Sequence, residues 1–264
     1  MTTLQAVFEK ARAEDRAALV GYLPAGFPTK DGAIAAATAM VEAGCDVIEI
    51  GLPYSDPLMD GPTIQDAVHR SLANGTRIAD VLRTVEGVAR TGAATLVMTY
   101  WNPVDRYGAE RFARDLASAG GVGTITPDLT PEEAGPWIES SKEAGIDTVF
   151  LVAPSSTDER IARVADCCTG FVYAASLMGV TGARESVSAA AEGLVKRTRS
   201  HTSLPVCVGL GVGSGAQAAE VAAYADGVIV GSAFIRRILD APDEAAGLAA
   251  VREFGRELAE GVRR

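Results

Sequence analysis

Two acidic residues occupy positions where a carboxylate has unusual chemistry. Glu49 lies inside the apolar run CDVIEIGL at 45–52, and Asp60 follows in the proline-containing loop after it. Because the neighbours of Glu49 are apolar, we expect its carboxyl group to be partly desolvated, which raises its pKa and lets it donate a proton near neutral pH. A structural glutamate held by backbone donors is also compatible with this pattern, and Asp60 alone is ordinary turn chemistry.

Several other chemistries find no support in the residue types. A Schiff-base aldolase needs a lysine at a strand end, and none of the lysines takes that place: Lys10, Lys30, Lys142 and Lys196. The two histidines, His69 and His201, lie far apart in the sequence, so we expect surface positions and no metal site. Carboxylate acid–base chemistry remains, with tyrosines near strand ends as possible helpers: Tyr22, Tyr100 and Tyr173. The substrate must then supply its own electron sink, as an indole ring would.

The elements that must position these residues alternate between apolar strands and alanine-rich amphipathic helices. Eight strands are predicted, at 18–23, 45–52, 95–100, 121–126, 148–154, 171–176, 205–211 and 227–234. Near-continuous apolar strands separated by helices are typical of a parallel sheet covered by helices. Eight such units predict a (β/α)8 TIM barrel, preceded by an extra amphipathic helix at the N-terminus. An open doubly wound sheet is the structural alternative.

Composition narrows the functional class. The 264 residues are 48% hydrophobic and carry a formal net charge of −10, so we expect one barrel domain over 1–264 that avoids nucleic acid and anionic membranes. No uncharged apolar run is long enough to span a membrane. The four cysteines show neither a disulfide framework nor a zinc-site spacing, which indicates reduced thiols in a cytoplasmic protein.

Glycine-rich segments follow the late strands, where barrels of this type hold phosphate groups. GLGVGSG at 209–215 closes the seventh predicted strand, and GSAF at 231–234 ends the eighth. No lysine or arginine precedes Arg236 in either segment, so a phosphate would be held by backbone amides, by Ser232 and by a helix N-terminus. A third segment, GVTG at 179–182, could close over the ligand as a lid.

Five motifs, taken in order, carry a family resemblance along nearly the whole chain. They are EIGLPYSDPLMDGPTIQ, MTYWNP, FVYAASLMGVTGARE, PVCVGLGV and DGVIVGSAF. Together they closely resemble the tryptophan synthase alpha subunit family. The first and third motifs are highly specific, since generic barrels do not combine GLPYSDP with a downstream DGPTIQ.

The resemblance implies retro-aldol cleavage of indole-3-glycerol phosphate to indole and glyceraldehyde 3-phosphate. Glu49 matches the catalytic acid–base, and Asp60 matches the carboxylate that holds the indole N–H. The substrate-binding positions are matched by Tyr22, Met98, Tyr173, Thr181, Gly182, Gly211, Gly231 and Ser232. Of these, the last three and Gly182 match phosphate-binding positions, and Thr181 matches the lid residue that meets Asp60 on closure.

The resemblance also implies a partner. The segment Asp56, Pro57 and Leu58 matches the surface that contacts a tryptophan synthase beta subunit, in a heterotetramer of two alpha and two beta chains. No cofactor is expected in this chain, since pyridoxal phosphate belongs to the beta subunit, which joins indole to serine.

The sequence departs from the family pattern at three positions near the loop and lid. Phe27 replaces a common aspartate, Leu177 a common arginine, and Met59 a smaller residue. These departures leave a stand-alone indole-releasing lyase of a specialised pathway as an alternative. Another phosphate-binding barrel, such as a phosphoribosyl isomerase or a flavin oxidoreductase, and a non-catalytic activator of a beta subunit are further alternatives.

Overall fold

The fold is a parallel barrel with helices on its outside. The computed structural model describes residues 3–176, 184–209 and 211–263, with only the backbone for 184–188. Its strands are β1 Ala18–Pro24, β2 Val47–Gly51, β3 Ala94–Met98, β4 Gly123–Ile125, β5 Asp147–Val149, β6 Leu151–Val152, β7 Val172–Ala175, β8 Val206–Gly209 and β9 Gly227–Val230. Every neighbouring pair is parallel, in the order β5-β4-β3-β2-β1-β9-β8-β7-β6.

The helices alternate with the strands and shield them from solvent. They are α1 Leu4–Ala13, α2 Lys30–Glu42, α3 Pro62–Ala73, α4 Ile78–Ala89, α5 Trp101–Tyr107, α6 Ala109–Ser118, α7 Gly135–Ala144, α8 Asp158–Cys167, α9 Arg184–Arg199, α10 Gly215–Ala222, α11 Ser232–Leu239 and α12 Glu244–Gly261. This alternation confirms the predicted (β/α)8 barrel and its extra N-terminal helix. No described helix is long and apolar enough to cross a membrane.

The described residues form nine strands rather than the predicted eight, because the fifth predicted strand is interrupted. β5 pairs with β4, and β6 pairs with β7. The two short strands together therefore take the place of one barrel strand between β4 and β7. At the interruption the backbone N–H of Phe150 donates to Sγ of Cys168 at 3.3 Å instead of to a neighbouring strand. The Phe150 carbonyl still accepts a hydrogen bond from the N–H of Tyr173 at 3.1 Å, which joins the interrupted strand to β7.

One boundary prediction was wrong in a way that matters for the site. The eighth predicted strand ran through 227–234, but β9 ends at Val230 and Ser232 begins α11. Gly231 is the N-cap between them. The GSAF motif is therefore a strand-to-helix junction, and α11 is the helix whose N-terminus lies at Ser232.

The core has two layers separated by the barrel wall. Inward-facing side chains alternate along each strand, for example Val20 on β1 and Val47 on β2. The outer layer lies between strands and helices and contains Ile48 on β2. Helix α1 closes the N-terminal end of the barrel, since Leu4, Val7 and Phe8 belong to the inner layer. A side chain at an inward position near the C-terminal end of a strand therefore faces the barrel mouth.

An ion pair fixes the N-terminal end of the barrel. The guanidinium of Arg16 donates to both carboxylate oxygens of Asp46, at 2.7 and 2.8 Å, and the N–H of Leu19 donates to the same carboxylate at 2.9 Å. Arg16 is almost fully buried. This contact ties the start of β1 to the start of β2.

Candidate active site

A cavity opens at the C-terminal end of the barrel and brings together most of the predicted site residues. Its volume is about 190 Å³. Its lining includes Tyr22, Glu49, Met59, Asp60, Ile64, Met98, Leu151, Tyr173, Ala175, Ser176, Gly209, Gly211, Ile229, Gly231 and Ser232. A larger surface hollow, of about 580 Å³, lies at the ends of α4 and α6 on the opposite side of the barrel and contains neither acid of the pair. We therefore take the smaller cavity as the candidate active site.

Glu49 is a buried acid that has no hydrogen-bond partner among the described residues. β2 carries it at an inward position beside Tyr22 of β1 and Leu96 of β3, and it is 1% exposed. Neither carboxylate oxygen has a hydrogen-bond partner among the described residues. Burial raises the pKa of Glu49 from 4.5 to about 8. A structural glutamate satisfied by backbone donors does not fit this environment, whereas a proton donor near neutral pH does.

Two tyrosines line the cavity on either side of Glu49, and each depends on a glycine of the neighbouring strand. A Cβ on Gly51 would collide with the hydroxyl of Tyr22, and a Cβ on Gly209 would collide with the hydroxyl of Tyr173. Burial raises the pKa of both phenols. The charges of Asp60 and Glu49 raise the pKa of Tyr22 further, and the charge of Glu49 raises that of Tyr173. These glycines were not recognised as site residues from the sequence, although each is the last residue of an apolar strand.

Asp60 lies on the loop after β2 and is held by Tyr100. The Tyr100 hydroxyl donates to Oδ1 of Asp60 at 3.2 Å and accepts from the N–H of Met59 at 3.0 Å. Partial burial raises the pKa of Asp60, and the hydrogen bond from Tyr100 opposes this rise. The sequence suggested Tyr100 only as a general acid–base helper, because a contact across 40 residues leaves no local pattern.

The same loop continues outward to an exposed apolar surface. Leu58 is 76% exposed and Met59 is 49% exposed, unlike the other large hydrophobic residues described. Asp56 is exposed and accepts a hydrogen bond from the Ser55 hydroxyl at 2.6 Å. Pro57 lies between Asp56 and Leu58, half-buried. Exposed apolar side chains beside a charged residue are typical of a protein-binding surface.

Two helices follow the glycine-rich segments, and their N-termini differ in whether side chains cap the free backbone N–H groups. The N-terminus of α10 is already occupied: Ser214 caps the N–H of Gln217, and the N–H of Gly215 donates to a Glu257 carboxylate at 2.6 Å. Helix α11 has Gly231 as its N-cap and no side-chain cap. Gly231 and Ser232 line the cavity, so the amides at this end are the ones available to an anion.

Arg236, the first cation after the glycine-rich segments, is directed away from this position. Its guanidinium donates to Oγ1 of Thr63 at 2.8 Å and so links α11 to α3. Of the longer segment GLGVGSG, Gly209 and Gly211 reach the cavity, while the N–H of Gly213 donates to Gln217 at 2.7 Å. An anion in the cavity would therefore be held by neutral donors and a helix N-terminus.

Three sequence positions near the lid lie outside the described residues: Leu177, Thr181 and Gly182. Met98 is described and lines the cavity at the end of β3, as its predicted contact with an indole requires. No group of metal-binding side chains exists among the described residues. His69 and His201 are exposed, as predicted.

The cavity lining also includes residues that the sequence did not single out. Leu151 and Ile229 lie within β6 and β9, and Ser176 directly follows β7. The alternation of inward and outward side chains along β9 could have identified Ile229. The same alternation could not place Leu151, because the fifth predicted strand is interrupted just before it. Ile64 reaches the cavity from α3, because that helix begins two residues after Asp60.

The fold and the cavity define a (β/α)8 barrel with two carboxyl groups at its mouth. A family model for the tryptophan synthase alpha chain matches residues 8–263. A tryptophan synthase alpha chain from Thermobifida fusca is 62% identical over 266 residues, covering 100% of this chain and 98% of its own length. The chain belongs to the tryptophan synthase alpha chain family.

Solved structures agree with this assignment. A crystal structure of tryptophan synthase from M. tuberculosis matches with a TM-score of 0.91 and 51% identity, covering 100% of both chains. A tryptophan synthase subunit alpha from Legionella pneumophila matches with a TM-score of 0.90 at 31% identity, over 99% of this chain and 98% of its own. The family resemblance seen in the sequence is therefore confirmed, and the comparisons do not support a different phosphate-binding barrel.

Proposed function

We propose that this chain is a carbon–carbon lyase that cleaves indole-3-glycerol phosphate to indole and glyceraldehyde 3-phosphate in tryptophan biosynthesis. The observation that carries the proposal is Glu49, a buried carboxyl group without a hydrogen-bond partner among the described residues, in a cavity that Asp60 also lines. Family membership supports the reaction class. The stand-alone lyase is not favoured by any observation and becomes an outcome of the test below.

In this proposal Glu49 acts first as an acid and then as a base. Its protonated carboxyl group donates to C3 of the indole ring, which leaves a positive charge on the indolenine. The resulting carboxylate accepts the proton of the side-chain hydroxyl while the C–C bond breaks. The bonding electrons restore the indole ring, the aldehyde forms, and Glu49 ends protonated as it began. A pKa of about 8 suits both roles near neutral pH.

Asp60 has the complementary role. Its ionised carboxylate accepts the indole N–H and stabilises the positive charge that develops on the ring. A fixed charge at the position where an opposite charge develops is among the largest contributions to catalysis. Tyr22, Met98 and Tyr173 surround the planar ring in the cavity. Because each acid has its own environment, one can be protonated while the other is ionised.

The phosphate group would bind at the opposite end of the cavity, against Gly211, Gly231, Ser232 and the start of α11. The uncapped helix N-terminus offers backbone donors and partial positive charge. Thr181 and Gly182 complete the proposed set from the lid segment. No fixed cation is needed, which fits a site that must release a phosphorylated product.

The proposed partner is a tryptophan synthase beta chain, which would dock on Asp56, Pro57 and Leu58 and use the released indole. Pyridoxal phosphate would belong to that partner, and this chain would need no cofactor. We place the complex of two alpha and two beta chains in the cytoplasm. The exposed Leu58 supports the docking surface, because such a side chain is normally covered.

Indole release from indole-3-glycerol phosphate tests the proposal, measured for the purified chain alone and with an added beta chain. We expect weak release alone and a strong rise with the beta chain. Fast release that ignores the beta chain would make this chain a stand-alone lyase. No release under either condition would refute the lyase.

A further inference from the structure

We propose that Tyr100 is a positioning residue that fixes the orientation of Asp60, so that one carboxylate oxygen is held and the other faces the substrate. The inference rests on the proposed function, since it concerns the carboxylate that would bind the indole N–H. Tyr100 belongs to the loop after β3 and is 6% exposed, whereas Asp60 belongs to the loop after β2.

A single phenol bridges two groups of the Asp60 loop. The Tyr100 hydroxyl donates its proton to Oδ1 of Asp60 at 3.2 Å and accepts the N–H of Met59 at 3.0 Å. It therefore holds both the carboxylate and the adjacent backbone. No described residue donates a hydrogen bond to Oδ2 of Asp60, which leaves that oxygen for a ligand in the cavity that Asp60 lines.

Tyr100 is itself fixed to the barrel. Thr99 donates its hydroxyl proton to the Tyr100 carbonyl at 2.8 Å, and the N–H of Trp101 donates to the Asp128 carboxylate at 2.9 Å. The Tyr100 ring packs against the Tyr54 ring, with centroids 5.6 Å apart. Because Tyr100 is held by contacts on both sides along the chain, its hydroxyl can fix the position of the more exposed Asp60 loop.

The Asp60 loop has fewer attachments of its own. Leu58 and Met59 point largely into solvent, at 76% and 49% exposure. The backbone carbonyl of Asp60 also accepts a hydrogen bond from the Gln65 side chain, at 2.7 Å. That bond holds the main chain but leaves the carboxylate free to rotate. The orientation of the carboxylate thus depends on Tyr100.

The hydrogen bond also favours the charged form of Asp60. Burial raises the pKa of Asp60, and donation from Tyr100 lowers it. The other titratable groups that line this cavity are Tyr22, Glu49 and Tyr173. Without the Tyr100 hydroxyl the pKa of Asp60 would rise further, so ionised Asp60 would be lost at a higher pH.

The test is Tyr100→Phe, assayed for indole release with the beta chain in saturating excess. We expect kcat to fall about tenfold, as for a lost hydrogen bond to a charged group, with KM within about threefold. The acidic limb of the kcat profile should move to higher pH. Tyr54→Phe is the matched control: it removes a hydroxyl that accepts from Asn102 but leaves the Tyr100–Asp60 bond, so kcat should stay within about twofold.

A double variant separates positioning from a structural role. If Tyr100 acts through Asp60, Tyr100→Phe should change kcat less than about twofold in an Asp60→Asn background. A full tenfold loss in that background would overturn the proposal, as would wild-type kcat and pH profile in Tyr100→Phe alone. Failure of the proposed function looks different, because the wild-type chain would then release no indole.

Discussion

Two carboxyl groups three residues apart, Asp46 just before β2 and Glu49 within it, have opposite environments. Asp46 immediately precedes β2 at the N-terminal end of the barrel, where it accepts both donors of Arg16 and the N–H of Leu19. Glu49 lies three residues later near the C-terminal end, with no partner among the described residues and with its pKa raised to about 8. The comparison indicates that one end of the barrel is arranged for stability and the other for chemistry.

Two helix N-termini repeat this contrast. The N-cap of helix α10 is Ser214, whose hydroxyl accepts from the N–H of Gln217. The N–H of Gly215 donates to the Glu257 carboxylate. Helix α11 begins at the cavity. Its N-cap is Gly231, which provides no side-chain cap. Of these two N-termini, the one that lines the cavity is thus the one without a side-chain cap among the described residues.

The largest expected effect is on turnover and distinguishes Glu49 of β2 from Asp46, which immediately precedes that strand. Glu49→Gln should lower kcat for indole release by about a thousandfold or more, because the proton donor is lost while the shape is kept. Asp46→Asn, the same chemical change at the other end of the strand, should leave kcat per folded molecule within about twofold. Equal losses of kcat in the two variants would contradict the assignment of chemistry to the Glu49 end of the barrel alone.

The same two variants should change stability in opposite directions. Asp46→Asn removes the more buried of the two carboxylates that pair with Arg16, while Glu14 still accepts from it at 2.7 Å, and should lower the free energy of unfolding by about 2 kcal/mol. Glu49→Gln should raise the free energy of unfolding at neutral pH by about 3 kcal/mol, since a carboxyl group with a folded pKa of about 8 against 4.5 costs roughly 1.4 kcal/mol per pH unit. Urea unfolding measures both.

The sign of the pH dependence follows from the raised pKa of Glu49. Between pH 4.5 and about 8 the folded chain keeps a proton that the unfolded chain releases, so this group's contribution is largest at low pH and falls as the pH rises. The difference between wild type and Glu49→Gln should therefore grow across this window. A difference independent of pH would mean that Glu49 is ionised when folded.

The smallest expected effect concerns the two helix N-termini. Ser232→Asp places a negative charge at the open start of α11 and should raise KM for indole-3-glycerol phosphate by about tenfold or more. Ser214→Asp is the matched control, because aspartate is a good N-cap and α10 lies outside the cavity lining. Its KM should remain near the wild-type value, and an unchanged KM in Ser232→Asp would move the phosphate elsewhere.

Local patterns predicted the barrel and the burial of Glu49, since apolar strands and helical spacing are properties of short segments. They did not predict the interruption at Phe150, because its cause is the thiol of Cys168, which follows the next helix. They also placed Ser232 in a strand, since GVIVGSAF is apolar except for this serine, although β9 ends at Val230 and Gly231 is the N-cap of α11.

Contacts between distant segments account for the rest of the site. The Tyr100–Asp60 hydrogen bond joins residues 40 positions apart, and the dependence of Tyr22 on Gly51 arises only when β1 and β2 pair. The family resemblance supplied roles for Asp60 and Tyr22 but none for Tyr100 or Gly51. That Glu49 has no hydrogen-bond partner among the described residues, and that the N-terminus of α10 is occupied, required the folded structure.

The protonation state of Glu49 is the most direct test of the whole account. An infrared pH titration that subtracts Glu49→Gln from the wild type isolates the carboxyl band of this one residue. The account predicts a protonated Glu49 band that persists at neutral pH and disappears with a midpoint near 8. A Glu49 that is already a carboxylate at about pH 6 would contradict it, because the cavity would then hold no proton donor of this kind.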